Sequence, residues 1–269
     1  MSNFSEISEK YENDSVVQKS ASEILFDLLK IQPNDDVLDL GCGTGHVSSL
    51  IRDKTSGKVV GVDPSEGMIE KAHNKFSHQD ISFHVCFAEQ LDYQNEFDVI
   101  FCNSALQWFV NPPKALKACH NSLKINGRMA IQAPAKDNYC PNFLRAIDEV
   151  KNHKATQEVF KHFAQPWFFR NNAREYTELF ENAGFKVKKS TIDEVATYHT
   201  IEEAYKIFES GAAAGYLNQD YYSTKLSQEY IDAFRNIVRD SFEKQADNKK
   251  QVKLIFYRIY LLAVNKEKL

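Results

Sequence analysis

Apolar positions along the chain alternate between two periods. Residues 16 to 30 carry Val16, Val17, Ile24, Leu25, Leu28 and Leu29 at helical spacing before Pro33-Asn34 breaks the pattern. The short run at residues 36 to 40 then predicts a strand, and Val47, Leu50 and Ile51 predict a helix after it. The rhythm continues with strands at residues 58–63, 81–87, 97–103 and 128–133. Helices are predicted at 68–76 and from Pro112 to the Asn126-Gly127 break. Strands alternating with helices at this pitch imply right-handed βαβ units and a parallel sheet covered on both faces, an α/β fold of Rossmann-like type.

The alternation lapses after Pro134. Residues 135–170 contain aromatics, two prolines and one helical stretch near 143–150, and residues 198–250 form a second irregular or helical block. Between them a helix at 173–182 and a strand at 186–192 restore the rhythm, and 253–264 reads as a long last strand. We therefore expect a single domain over residues 1–269, with insertions at about 135–170 and 198–250 forming a cap over the C-terminal edge of the sheet.

A parallel sheet binds ligands beyond the carboxyl ends of its strands, where the connections diverge. The first predicted strand runs into Gly41-Cys42-Gly43-Thr44-Gly45, where glycines let the backbone turn tightly and approach a ligand. Asp39 lies just before the turn and can accept hydrogen bonds from an ammonium group. Asp63, at the tip of the second strand, is placed to hold ribose hydroxyls. A dinucleotide site requires G-x-G-x-x-G, whereas here the third glycine comes one residue early, giving G-x-G-x-G.

The run from Val37 to Gly45 resembles the first motif of class I S-adenosylmethionine-dependent methyltransferases. Asp63-Pro64-Ser65-Glu66-Gly67-Met68-Ile69 is similar to that family's second motif, Cys86-Phe87-Ala88-Glu89 to its adenine-edge segment, and Phe97 to Trp108 to its fourth-strand motif. The resemblance spans about residues 11–134 and returns in the last strand. It implies a seven-stranded methyltransferase sheet whose last strand is antiparallel, and S-adenosyl-L-methionine as cofactor. By the same resemblance Tyr11 and Gln18 cover the methionine end, Asp39, Gly41, Gly43 and Gly45 form the turn beneath the ligand, and Asp63 with Pro64 meets the ribose. Ser65 and Met68 flank the adenine with Ala88, and Asn103 faces the methionine end. The family often has an acidic residue where Phe87 stands, which leaves the adenine amino contact open unless Glu89 takes it. Ala105-Leu106-Gln107-Trp108, Ala130 to Pro134 and Phe256 to Ala263 look like the trans-aconitate and malonyl-carrier-protein methyltransferase branch, which implies a small-molecule acceptor with a carboxylate oxygen.

Composition narrows the alternatives. Lys plus Arg number 33 against 37 Asp plus Glu, a net charge of −4, and no basic block marks a nucleic-acid surface. Neither a signal-peptide layout nor an apolar run of ~18 residues is present, so a cytoplasmic protein without a membrane partner is expected. The five cysteines are dispersed without a ligand-spaced histidine, which favours free thiols over a metal site. Trp108 reads either as a core aromatic or as a wall of the acceptor site, and Trp167, Phe168 and Phe169 as packing. Arg170 and Arg174, four residues apart, read as a solvated helix face or as a clamp for an anionic acceptor. Tyr198 and His199 are the candidates should a general base be used. A non-catalytic S-adenosylmethionine-binding sensor or partner subunit, and a methyltransferase with a nitrogen, sulfur or phenol acceptor, stay open beside the carboxylate reading.

Overall fold

The structure, a computed structural model, describes residues 16–266, with side chains from residue 22. Two compact units are present. One comprises residues 16–137, 167–193 and 258 onward; the other is drawn from 138–166 and 194–257, the stretches where the regular alternation lapses.

The first unit is built on parallel strands. Helix α1 (Val16–Leu29) leads into β1 (Val37–Leu40), followed by α2 (His46–Arg52), β2 (Val59–Asp63), α3 (Glu66–Phe76), β3 (Ser82–Val85), β4 (Phe97–Asn103), α4 (Pro112–Ser122) and β5 (Leu123–Pro134). After an interval come α7 (Ala173–Asn182), β6 (Phe185–Thr200) and β7 (Gln251–Asn265). The strands form one seven-stranded sheet in the order β3-β2-β1-β4-β5-β7-β6. β7 runs antiparallel to β5, while β1 pairs in parallel with both β2 and β4. The chain thus reverses its direction of travel across the sheet beside β1, which opens a crevice there.

Period-two alternation assigns each strand residue to a face. Val37, Val59, Val99, Phe101 and Ala130 pack with Leu25 and Leu29 of α1 and Ile51 of α2 on one face. Leu38, Leu40, Ile100, Cys102, Met129 and Ile131 pack with Leu116 of α4 and Tyr176 and Phe180 of α7 on the other. All four β1 residues are buried, as a central strand covered on both sides requires. Helix starts are set by side-chain caps: Ser65 for α3, Asn111 for α4 and Asn172 for α7.

β5 begins at Leu123, upstream of the expected strand. Asn126-Gly127, read from sequence as the end of a helix, is an irregularity inside the strand: Asn126 is left-handed with φ 64°, and the β4–β5 register shifts between Phe97 and Val99. β6 likewise runs on to Thr200, so Tyr198 and His199 stand in a strand and not in a loop.

In the second unit, the block at 198–250 is helical, with α8 (Ile201–Ser210), α9 (Ala213–Tyr216) and α10 (Gln228–Gln245), beside α5 (Pro141–Asn152) and α6 (Gln157–Phe160). Thr200 and Glu203 form a reciprocal capping box at the start of α8. Its core is aromatic. Phe143 of α5 meets Phe208, Phe242 and Phe256 edge-on at 5.1 to 5.9 Å between ring centres. Among the described residues, no helix is long and apolar enough to cross a membrane.

Candidate functional site

The turn after β1 is tied to β2 by its backbone. Gly41 and Cys42 both donate their N–H to Val62 O, at 2.8 and 3.0 Å, and Gly45 N–H closes the turn on Cys42 O at 3.0 Å. Two of its glycines serve different purposes. Gly41 has φ +78°, and a Cβ there would stand 2.4 Å from the Ala105 Cβ, so the position is closed by packing. Gly43 has φ +53°, and a Cβ there would meet nothing within 4 Å. Space beyond Gly43 therefore lets a ligand approach bare backbone. Gly45, also left-handed, is the N-cap of α2.

Two carboxylates frame the turn. Asp63 accepts the N–H of Gly43 at 3.1 Å on Oδ2 and that of Ser65 at 2.9 Å on Oδ1. Burial pushes its pKa up to about 6, against the lowering effect of the two N–H donors. Asp39, on β1, is 2% exposed and accepts the Ser48 hydroxyl at 2.6 Å. Burial pushes it up to about 7, with the Ser48 hydrogen bond opposing and the Asp63 charge adding.

Strand register extends this frame across the sheet. Asp39 is partnered by Gly61 on β2 and by Phe101 on β4; two residues on, Asp63 and Asn103 take the same face at the strand ends. Asn103 is partnered by Gln132 on β5, and Gln132 by Tyr260 on β7. Strand spacing of ~4.8 Å makes this polar row, from Asp63 past Gly41 to Tyr260, about 19 Å long. Arg258 follows on the same face, opposite Pro134. The residues below the row on that face, Phe101, Ala130 and Leu262, belong to the apolar cluster under α1.

Polar support converges on the row's centre. Ser104, left-handed at φ 57°, donates its N–H to Gln132 O at 2.7 Å and its hydroxyl to Gln132 Oε1 at 2.9 Å. Gln107 Nε2 donates to Ser104 O at 2.7 Å. Two carbonyl oxygens here, Asn103 Oδ1 and Gln107 Oε1, are buried without a hydrogen-bond partner. Leaving an acceptor buried and unpaired costs about 1 to 3 kcal/mol, so an incoming donor is favoured at both. At the row's far end burial raises the Tyr260 phenol pKa, against the lowering effect of the Arg258 guanidinium charge.

The remaining candidates are distributed unevenly. Pro64 is half-buried beside Asp63; Ser65 spends its side chain on capping Met68 N–H at 3.4 Å, and Met68 is turned into the core at 2% exposure. Ala88 is buried at the start of a 3-10 turn, Ala88–Gln90, and Phe87 before it is exposed. Glu89 Oε1 accepts the Asn111 N–H at 2.9 Å, which ties the turn to the start of α4. Trp108 meets Trp167 edge-on at 5.7 Å, and Phe168 N–H donates to Gln107 O at 2.9 Å, so this segment packs beside the row's support. Arg170 is exposed with its guanidinium over the Phe168 ring, and exposed Arg174 pairs with Glu178 at 2.8 Å. In the second unit, His199 Nε2 lies 2.7 Å from Thr197 Oγ1 and Tyr198 is exposed. Tyr11 lies outside the described residues, as does the side chain of Gln18. Sequence reasoning assigned no role to Ser48, Ser104, Gln132, Arg258 or Tyr260. The signal for the last two was a charge and a phenol on one face of an otherwise apolar strand.

Comparison with known proteins fits this geometry. The methyltransferase domain family matches residues 31–211. A malonyl-[acyl-carrier protein] O-methyltransferase of Acetivibrio thermocellus is 29% identical over 130 residues, covering 47% of this chain and 46% of that protein. The chain therefore spans about half the length of that curated relative. An uncharacterized methyltransferase of Schizosaccharomyces pombe is 30% identical over 185 residues, 65% of this chain and 68% of the other. Among solved structures, the YcgJ protein of Bacillus subtilis superposes with a TM-score of 0.62 at 16% identity, over 93% of this chain and 100% of its own. The family match covers more than half of the chain and the sheet has the seven strands and antiparallel last strand expected of the class, so the chain belongs to the methyltransferase domain family, in its class I S-adenosylmethionine-dependent form.

Proposed function

We propose that the protein binds S-adenosylmethionine across the ends of β2, β1 and β4 and transfers its methyl group to a small molecule, at a carboxylate oxygen. The observation that carries this reading is the row itself: a carboxylate at Asp63, open backbone at Gly43 and an unpaired buried acceptor at Asn103, set in order along one sheet face.

The residues present suit the cofactor's parts. Asp63 uses two lone-pair positions on Gly43 and Ser65, and a carboxylate has about four, leaving two for ribose hydroxyls. Asn103 Oδ1 and Gln107 Oε1 are acceptors for an ammonium group, and ionised Asp39 adds negative charge beneath it. When bound, the cofactor supplies a methyl group already activated on a sulfonium. What remains for the chain is to align the acceptor and exclude water.

A carboxylate acceptor fits this division of labour. With an ordinary pKa near ~4 it is ionised at neutral pH and needs no general base. The Acetivibrio relative is named for O-methylation. The test is incubation of the purified protein with labelled cofactor and a panel of carboxylic acids, a malonyl carrier-protein thioester, amines, phenols and thiols. A base-labile methyl ester is expected. Transfer only to nitrogen, sulfur or phenol would refute the carboxylate reading, and binding without transfer to any acceptor would leave a sensor or partner subunit.

A further inference from the structure

The row contains one carboxamide that the cofactor does not use. Gln132, near the end of β5, follows Asn103 along the row, one strand or ~4.8 Å further from Asp63. The cofactor, placed as above, ends at Asn103, so Gln132 stands where the acceptor would sit next to it. Its side chain is held from one side. Oε1 accepts the Ser104 hydroxyl at 2.9 Å, and the main-chain oxygen of Gln132 accepts the Ser104 N–H at 2.7 Å. Ser104 is itself fixed, left-handed at φ 57° with its carbonyl bonded by Gln107 Nε2 at 2.7 Å. A residue other than glycine keeps such a backbone only where its surroundings over-determine it. Two of the bonds that do so run to Gln132, and they set the orientation of its amide.

That orientation leaves the amide nitrogen unused. Among the described residues Gln132 Nε2 donates to none, although the side chain is only 1% exposed. It is not sealed, as Asn103 Oδ1 and Gln107 Oε1 are, so it borders open space. A primary amide nitrogen carries two N–H donors, and a donor left without a partner in a largely buried place is costly, so an oxygen-bearing ligand is favoured there. The lack of charge matters as well. Ester formation consumes the negative charge of an acid, and a cation gripping the reacting carboxylate would stabilise it more before transfer than during it. A neutral amide orients the same group at a smaller penalty.

We propose that Gln132, positioned by Ser104, donates its side-chain N–H to the carboxylate of an organic-acid acceptor. This rests on the methyltransferase reading, because the cofactor's place on the row defines which end is left for the acceptor.

The test is ligand-observed NMR titration on the full chain, saturated with S-adenosylhomocysteine, using malonate, succinate and citrate as probes and methylamine as a control of opposite charge. Wild type should bind at least one of the three acids in preference to methylamine. Gln132→Met, close in volume and without a donor, should weaken that binding about fivefold or more. Gln132→Glu should weaken it about tenfold or more, since two carboxylates repel each other. Ser104→Ala should cost about threefold by freeing the amide to turn. S-adenosylhomocysteine affinity in Gln132→Met and Ser104→Ala should stay within about twofold, and this also reports that they fold. Should Gln132→Met fail that check, Gln132→Glu and Ser104→Ala decide the matter, since the first keeps the side-chain shape and the oxygen that Ser104 bonds. The proposal is overturned if no acid binds wild type, or if the folded Gln132 variants hold the acid like wild type. Methylamine binding as well as the acids, or better, would mean that the amide presents its oxygen, and overturns it equally. Failure of S-adenosylhomocysteine itself to bind wild type is a separate result: it strikes the cofactor reading, and this proposal falls with it.

Discussion

The carboxylate of Asp63 accepts the backbone N–H of Gly43 at 3.1 Å, which couples the tip of β2 to the most open point of the glycine turn. One side chain thus shapes the turn and, in the reading proposed above, has lone pairs left for the ribose. Asp63→Ala should weaken S-adenosylhomocysteine by roughly a hundredfold or more, since two charge-assisted hydrogen bonds of about 1.5 to 3 kcal/mol each are lost. Titration calorimetry measures this directly, and wild-type affinity in the variant would remove Asp63 from the site.

The two glycines should separate in their response to alanine. Gly43→Ala retains a permitted left-handed backbone at a cost of about 1 to 2 kcal/mol, but places a methyl group in the space beyond the turn. Its cofactor affinity should fall much more than its thermal midpoint. Gly41→Ala must displace Ala105 and should lower both together, adding about 1 to 3 kcal/mol of overpacking. Parallel melting and binding curves distinguish the two, and equal losses in both variants would contradict the assignment of open space to Gly43.

Asp39 and Asp63 give a pH dependence of known sign. Their pKa values are raised to about 7 and about 6, from an unfolded value near 3.8. The folded state therefore holds more protons than the unfolded state between these values, and this pair's contribution to stability, complete below about pH 4, is lost as pH rises through 6 and 7. Cationic ligand reverses the preference by favouring the ionised pair. Affinity for S-adenosylmethionine should rise from about pH 5.5 to about pH 8 with release of protons, visible as a buffer-dependent binding heat. Asp39→Asn should flatten the upper part of that curve; an unchanged curve would exclude Asp39 as its source.

Phe143 anchors the aromatic core of the second unit at 3% exposure, touching rings on α8, α10 and β7. Phe143→Ala should destabilise by about 3 to 5 kcal/mol, because rigid edge-to-face neighbours cannot collapse into the void. Denaturant unfolding followed by near-ultraviolet dichroism tests it, and a loss below about 1 kcal/mol would mean the cluster repacks freely.

What could be read from sequence follows how local each signal is. Val37 to Leu40 and the glycine turn are contiguous, and their pattern has one physical solution, a buried strand entering a tight turn. The place of Asp63 at a strand end was legible because the βα alternation marks where each parallel strand stops. Gln132, Arg258 and Tyr260 were not, because their meaning lies in register: Gln132 is partnered by both Asn103 and Tyr260, and pairing between strands so distant in the chain is not encoded in either segment alone. Asn126-Gly127 misled for a related reason, since a turn dipeptide and a bulge have the same local chemistry and differ only in what lies across the sheet. The helical block at 198–250 does not divide into its helices by pattern, because its caps, Thr200 and Ser227, are common residues whose role depends on the hydrogen bonds they receive.

The alternation of β7 also limits how this protein can change over generations. Arg258 and Tyr260 point one way, and Ile259 and Leu261 belong to the apolar cluster on the other face. Loss or gain of a single codon within the strand would exchange the two sets, driving a guanidinium into hydrocarbon and isoleucine into the polar row. Such a lesion is intolerable in one step, whereas replacement of either row residue leaves the ladder intact. Variation in this strand is thereby channelled into substitutions at positions such as 258 and 260, while the rest of the sheet is inherited unchanged.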